Sequence, residues 1–205
     1  MSARMLSAPS TKHVSRRQPA AFEPLDLRLL ARPLDFLLAE HYRLRAALAQ
    51  LDWLARGSVG EARRKLARAL ARYFAEDYAL HTADEETDFF PLLRLRCADD
   101  EAFLATLDTL TAEHSADDAR LADVVTKLKA LAEGPQRHDI PPEFAAEALA
   151  FIEVLRRHIA WENAVLLPVA RGRLQSADLR RLAQKLAARR NVTLTAVARG
   201  GAARA

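Results

Sequence analysis

The sequence predicts an all-α protein: an up-down-up-down antiparallel four-helix bundle followed by a short fifth C-terminal helix. Glycine occurs only 6 times in 205 residues, and no stretch alternates apolar and polar residues with the period of two that marks a half-buried strand. Apolar residues recur instead at intervals of three and four along four long segments joined by short connections, the pattern of amphipathic helices packed antiparallel. With 50% apolar residues the chain can bury a sizeable core, and its length fits one domain with tails. The expected division is a disordered basic tail over 1–24, the bundle over 25–172, and a peripheral helix with a flexible tail over 173–205.

Asp26 to Leu30 can form a short turn or helix. The first long helix is expected from Pro33, a residue type favoured at the first helical position, to about Arg56, where Gly57 can end it. Its stripe is Leu34, Leu37, His41, Leu44, Leu48, Leu51 and Ala55. The second runs from about Glu61 to Leu95 with Leu66, Leu70, Phe74, Tyr78, His81, Glu85, Phe89 and Leu92 on one face, and Pro91 is expected to kink it or end it early. Asp99 or Asp100 caps the third, which extends to Glu133 before Gly134-Pro135 stops it. Its stripe is Leu107, Leu110, His114, Asp117, Leu121, Val124, Leu128 and Leu131. The fourth carries Phe144, Ala148, Phe151, Leu155, His158, Glu162 and Val165, and Pro168 closes it. The fifth, peripheral, spans Ser176, read as its cap, to about Arg190.

A net charge of +4, much of it in the tails, does not call for a nucleic-acid surface. The single Cys97 excludes an intrachain disulfide and fits a reducing compartment. There is no apolar secretory run and no stretch approaching a membrane span, so a cytoplasmic protein without membrane contact is expected.

The segment His81-Thr-Ala-Asp-Glu85-Glu-Thr-Asp-Phe-Phe-Pro91 is written a second time as His158-Ile-Ala-Trp-Glu162-Asn-Ala-Val-Leu-Leu-Pro168. With 27 acidic residues and 9 prolines in 205, chance would put an acid four after a given His about 0.13 of the time and a Pro ten after it about 0.04 of the time. On a helix, positions i and i+4 share a face roughly 6 Å apart along the axis, so imidazole and carboxylate point the same way. One such pair is an ordinary surface pair. Here each of the four core stripes contains one His: His41, His81, His114 and His158. Antiparallel order puts these four, with Glu85 and Glu162, within a layer roughly 14 Å thick on a 1.5 Å rise. Burying imidazoles and ionised glutamates without a partner costs several kcal/mol, and a metal supplies the partner. Imidazole with carboxylate suits iron and similar first-row ions. Two carboxylates and four imidazoles suggest two ions, with Glu85 and Glu162 placed to bridge. His41 with His81, and His114 with His158, would terminate the two ions, although other pairings are open. The count leaves positions for a small ligand such as dioxygen, nitric oxide, peroxide or water.

Those residues carry a resemblance. One His on the first helix, HxxxE on the second, His on the third and HxxxE on the fourth, with the Glu40-His41 and Glu113-His114 dipeptides, make residues 33–170 similar to the hemerythrin-like, or HHE cation-binding, family. The resemblance implies a non-haem di-iron centre of two Fe ions, oxo- or hydroxo-bridged. A ferritin-like site would need ExxH pairs, which the chain lacks. The oxygen-carrying members have a second His one turn along the third helix, where this chain has Asp118, and an Asp five after the fourth-helix His, where it has Glu162 at four. One imidazole is thus missing or replaced by Asp117 or Asp118. The four-His, two-Glu set is closer to members implicated in iron-sulfur cluster repair under nitrosative stress and in iron or oxygen sensing. The repair proteins often have a Cys-containing N-terminal domain, and residues 1–32 hold no Cys.

The first expectation for function is therefore a cytoplasmic di-iron protein that binds or senses O2 or NO. The alternative is a redox or iron-donor protein, of the cluster-repair or peroxide-consuming kind, in oxidative and nitrosative stress defence. A structural bundle with a degenerate site is the third reading. Tyr42, Tyr78, Asp84 and Trp161 are candidates to orient ligands or line a pocket. Glu86 and Asp88 read as solvated, Cys97 as packing, and His13 and His138 as outside the site.

Overall fold

The computed structural model describes residues 23–134 and 138–195. Nearly all of the tail expected at 1–24, His13 included, and residues 196–205 lie outside the described residues. A single turn of 3-10 helix, Leu27–Ala31, is started by Asp26, whose carboxylate accepts the Arg28 N–H at 3.0 Å. Helix α1 follows over Pro33–Ala55, with Pro33 in its first turn and its predicted stripe buried. Asp100 begins the third helix, α3 (Glu101–Glu133), by accepting the Phe103 N–H at 3.0 Å, which satisfies one of the amides a helix start leaves unpaired.

The second and fourth helices depart from expectation at their prolines. Helix α2 occupies 61–96 as α-helical Glu61–Arg72, Ala79–Asp84 and Phe90–Arg96 joined by π-helical turns Tyr73–Tyr78 and Glu85–Phe89. Helix α4 occupies 142–173 as Pro142–Trp161, a π-helical turn Glu162–Leu166, and Leu167–Arg173. Pro91 does not end α2 and Pro168 does not close α4. In an α-helix a proline ring collides with the carbonyl four residues back and removes that bond. Here the N–H just before each proline reaches back five residues, from Phe90 to the Glu85 carbonyl and from Leu167 to the Glu162 carbonyl. The widened turn accommodates the ring, and the helix continues.

The four long helices form a closed ring, each packed on its chain neighbours and α1 against α4. Ser58–Val59 (β1) and His138–Asp139 (β2) pair antiparallel, Ser58 opposite Asp139. This clip between two connecting loops is too short to show alternation in the sequence. Helix α5, Ser176–Arg189, follows Gln175, whose N–H is accepted by Asp178 at 2.9 Å; Gln175 is the cap and Ser176 the first helical residue.

Helix α5 is not peripheral. Leu182, Leu186 and Ala187 are buried with Leu30, Leu37, Phe89, Phe90, Leu93, Cys97 and Leu166 in an apolar cluster at one end of the bundle. A second cluster, around Leu48, Phe74, Leu128 and Phe151, fills the other end. Between the two lies a polar layer of buried His and Glu. Among the described residues no helix is long and apolar enough to cross a membrane.

Candidate metal centre

All six predicted residues converge in that layer, and all are buried. His41 comes from α1, His81 and Glu85 from α2, His114 from α3, His158 and Glu162 from α4. Their ligand atoms form two overlapping groups, His41/His81/Glu85/Glu162 and Glu85/His114/His158/Glu162, each with its atoms within 4.8 Å of one another. Both glutamates belong to both groups. Each stands at the first residue of a π-helical turn, where the helix widens locally.

The four rings share one orientation. Every Nε2 faces the glutamate pair: His41 lies 3.4 Å from both Glu85 Oε1 and Glu162 Oε2, His81 3.5 Å and His114 3.6 Å from Glu85 Oε2, and His158 3.1 Å from Glu162 Oε1. Every Nδ1 turns outward to a side-chain oxygen: Asn163 for His41 (2.8 Å), Glu40 for His81 (3.2 Å), Glu86 for His114 (2.6 Å) and Glu113 for His158 (2.9 Å). An acceptor at Nδ1 fixes the tautomer that leaves an Nε2 lone pair pointing inward, as metal-binding imidazoles require.

The inward atoms are left without ordinary partners. Glu85 Oε2, both Glu162 oxygens and His158 Nε2 make no hydrogen bond among the described residues. Burial pushes the Glu85 carboxyl well above its ordinary value, and the Glu162 charge adds to it. At Glu162 burial works in the same upward direction, but His158, with His41 and His81, outweighs it and holds the group at about 2. Burial drives His41 and His114 toward the neutral form. His81 and His158 go the other way: burial opposes their charge, but Glu40 raises the first, and Glu162 with Glu113 raise the second to about 9. Two fully buried carboxylates facing one another among inward imidazole nitrogens fit a cation between them, which would displace the protons held on His81 and His158 and give each orphaned oxygen and nitrogen a partner.

Other candidates separate cleanly. Tyr42 and Trp161 are exposed and do not line the centre. Tyr78 is buried with its ring 6.0 Å from that of His81, and burial pushes its phenol up. Buried Asp117 accepts from Arg120 at 2.7 Å, and Asp118 is exposed; neither belongs to the two groups. Glu86 is not simply solvated, since it holds His114, and Asp88 pairs with Arg189 at 2.6 Å. Glu40, Glu113 and Asn163 were not anticipated as the partners of ligand-type histidines. The two Glu-His dipeptides were the signal for the glutamates, each serving the histidine of a neighbouring helix, Glu40 that of α2 and Glu113 that of α4; nothing in the sequence marked Asn163.

The model of the hemerythrin family, described as the hemerythrin HHE cation binding domain, matches residues 32–170, the span containing all six residues and ending before α5. A search of curated proteins finds no match.

Proposed function

Because the chain belongs to the hemerythrin HHE cation-binding family, we propose that it holds two non-haem iron ions and binds or senses a small diatomic ligand, O2 or NO, in the cytoplasm. The observation that carries this reading is the pair of overlapping buried groups sharing Glu85 and Glu162. In this assignment His41 and His81 would hold one ion and His114 and His158 the other, with Glu85 and Glu162 available to both. Iron in such a nitrogen and oxygen set supplies redox activity and coordination positions for a small ligand.

The chain's own residues supply the rest. Asn163, Glu40, Glu86 and Glu113 hold the four rings in register. The two apolar clusters wall the layer above and below, and Phe90 lies parallel to His114 with ring centres 5.7 Å apart. Bulk water is thereby kept from both faces of the layer. A specific observation favours a second reading, redox turnover or iron donation in cluster repair or peroxide defence: the side chains behind His114 and His158 are partly open to solvent, Glu86 at 32% and Glu113 at 25%.

The test is the visible spectrum of anaerobically reduced, iron-loaded protein before and after a stoichiometric addition of air-saturated buffer or NO. A new charge-transfer band that persists, and disappears when the gas is removed, is the expected result. Rapid passage to the oxidised spectrum with no lasting band overturns binding and sensing of O2 in favour of the redox or iron-donor reading. Failure to take up two ions overturns the two-iron assignment.

A further inference from the structure

We propose that the C-terminal helix α5 is a clasp on one half of the metal layer, with Arg190 as a positioning residue that holds His81 through Glu40; the inference rests on the two-ion assignment above. The Glu40 carboxylate is shared. Its Oε2 takes the outward nitrogen of His81 at 3.2 Å, and its Oε1 accepts from Arg190 Nη2 at 2.8 Å. Arg190 also reaches Asp84 Oδ2 at 2.7 Å, and Arg189 pairs with Asp84 and with Asp88. Glu40 is 9% exposed and Asp84 0%, so two acids stand close together behind His81. The cations that face them come from the end of α5.

The arginines are fixed rather than draped. Asn191 adopts a left-handed conformation (φ 54°). The Asn191 N–H bonds the Ala188 carbonyl and the Val192 N–H the Ala187 carbonyl, the pair of bonds that locks a helix C-terminus. The Arg190 guanidinium lies over the Phe36 ring, 4.6 Å from its centre, and donates to the Leu186 carbonyl. Arginines in a last helical turn also complement the helix dipole, but that role needs neither buried carboxylates nor a stacking partner. The other rings are held without α5: Glu86 and Glu113 come from α2 and α3, and Asn163 from α4. The clasp therefore reaches one carboxylate–histidine pair only, and it comes from an element beyond the family-matched span.

Partners behind a ligating histidine typically set metal affinity by 10- to 100-fold. The test is anaerobic titration of the full chain with Co2+ alone, followed by visible absorption, which reports the geometry of each ion as well as its affinity. Wild-type protein is expected to take up two ions. In Arg190→Ala one ion should keep its affinity and spectrum. The other should bind roughly 10- to 100-fold more weakly, with an altered band, and Arg190→Lys should recover part of the loss. Circular dichroism of the variants confirms the bundle is formed. Should Arg190→Ala not fold, Arg190→Lys and Glu40→Gln serve, each expected to weaken the same single ion. Unchanged affinities, or equal weakening of both ions, overturn the clasp while leaving the two-ion assignment standing. Wild-type protein that takes up fewer than two ions overturns that assignment and the clasp with it.

Discussion

The two halves of the metal layer share both glutamates and contain the same number of histidines, but differ in what stands behind them. Behind His81 lies Glu40, itself closed in by Arg190 of α5. Behind His114 and His158 lie Glu86 and Glu113, partly solvated, the latter also touched by exposed Arg157 at 3.2 Å. The repeated His-x3-Glu motif makes the inner set of histidines and glutamates nearly symmetric, while the outer set is not. Were each half to hold an ion, affinity could be similar at the two positions while access and exchange differed, because a partly exposed carboxylate yields its histidine to water more readily than a buried, arginine-bound one.

The largest effect is expected where the halves are one, at the glutamates. Glu162→Ala or Glu85→Ala should abolish uptake of both ions, read as iron per chain. Wild-type protein at an iron concentration 100-fold above its dissociation constant should gain about 2.7 kcal/mol of stability from each ion, or roughly 5–10 °C in melting temperature for a chain of this size. The glutamate variants should melt at one temperature with or without iron. Retention of two ions by either variant would show that the halves do not share their carboxylates.

Replacing one histidine should separate the halves. His41→Ala is expected to lose one ion and His158→Ala the other, each retaining about half the iron-dependent stabilisation. Loss of both ions from either variant would mean that the layer fills cooperatively and that the comparison does not hold thermodynamically. The outer carboxylates come next in size. Glu40→Gln removes a buried charge facing Arg190 and should cost about 3 kcal/mol, roughly 6–12 °C by calorimetry. Glu86→Gln, at a partly exposed site, should cost under about 1 kcal/mol. Equal costs would erase the distinction drawn between the halves.

How much of this was legible in the sequence follows the same division. The inner set was legible because a helix converts residue number into direction: one His per stripe at one level must converge once the stripes pack. His41, His81, Glu85, His114, His158 and Glu162 needed no more than that. The π-helical turns were legible only in part. Only the two His-x3-Glu motifs have a proline ten residues after their His; from the sequence Pro91 is expected to kink or end its helix and Pro168 to close its own, because the five-residue hydrogen bond that accommodates each ring leaves no separate mark in composition. The outer set was least legible. Glu40 serves the histidine of another helix and Glu86 reaches across to α3, and contacts between helices depend on rotation and offset that the stripe does not fix. Helix α5 reads as peripheral in the sequence because it follows a bundle already complete with four helices, and the positions its two arginines reach are set by the fold of everything before it.

An effect of similarly small size concerns the other end of α5, and it bears on how the clasp works. Asp178 is gripped by Arg96 through two bonds of 2.8 and 2.9 Å and accepts the Gln175 N–H, and the Arg96 guanidinium, with that N–H, holds its carboxyl below the ordinary value. A carboxyl lowered on folding stabilises fully above its unfolded value, about 3.9, and the contribution fades as pH falls through the folded value. Asp178→Asn should therefore lower stability by about 1 kcal/mol at pH 7, with the difference from wild type constant down to about pH 5 and closing below about pH 4. Urea midpoints of metal-free protein at pH 7 and pH 3 measure this. At pH 7 the same variant should leave both ions as tightly bound as in wild type, because Arg189 and Arg190 sit at the far end of the helix. If Asp178→Asn instead weakens one ion as strongly as Arg190→Ala does, the docking of α5 as a whole, rather than the Arg190–Glu40–His81 line, distinguishes the two halves.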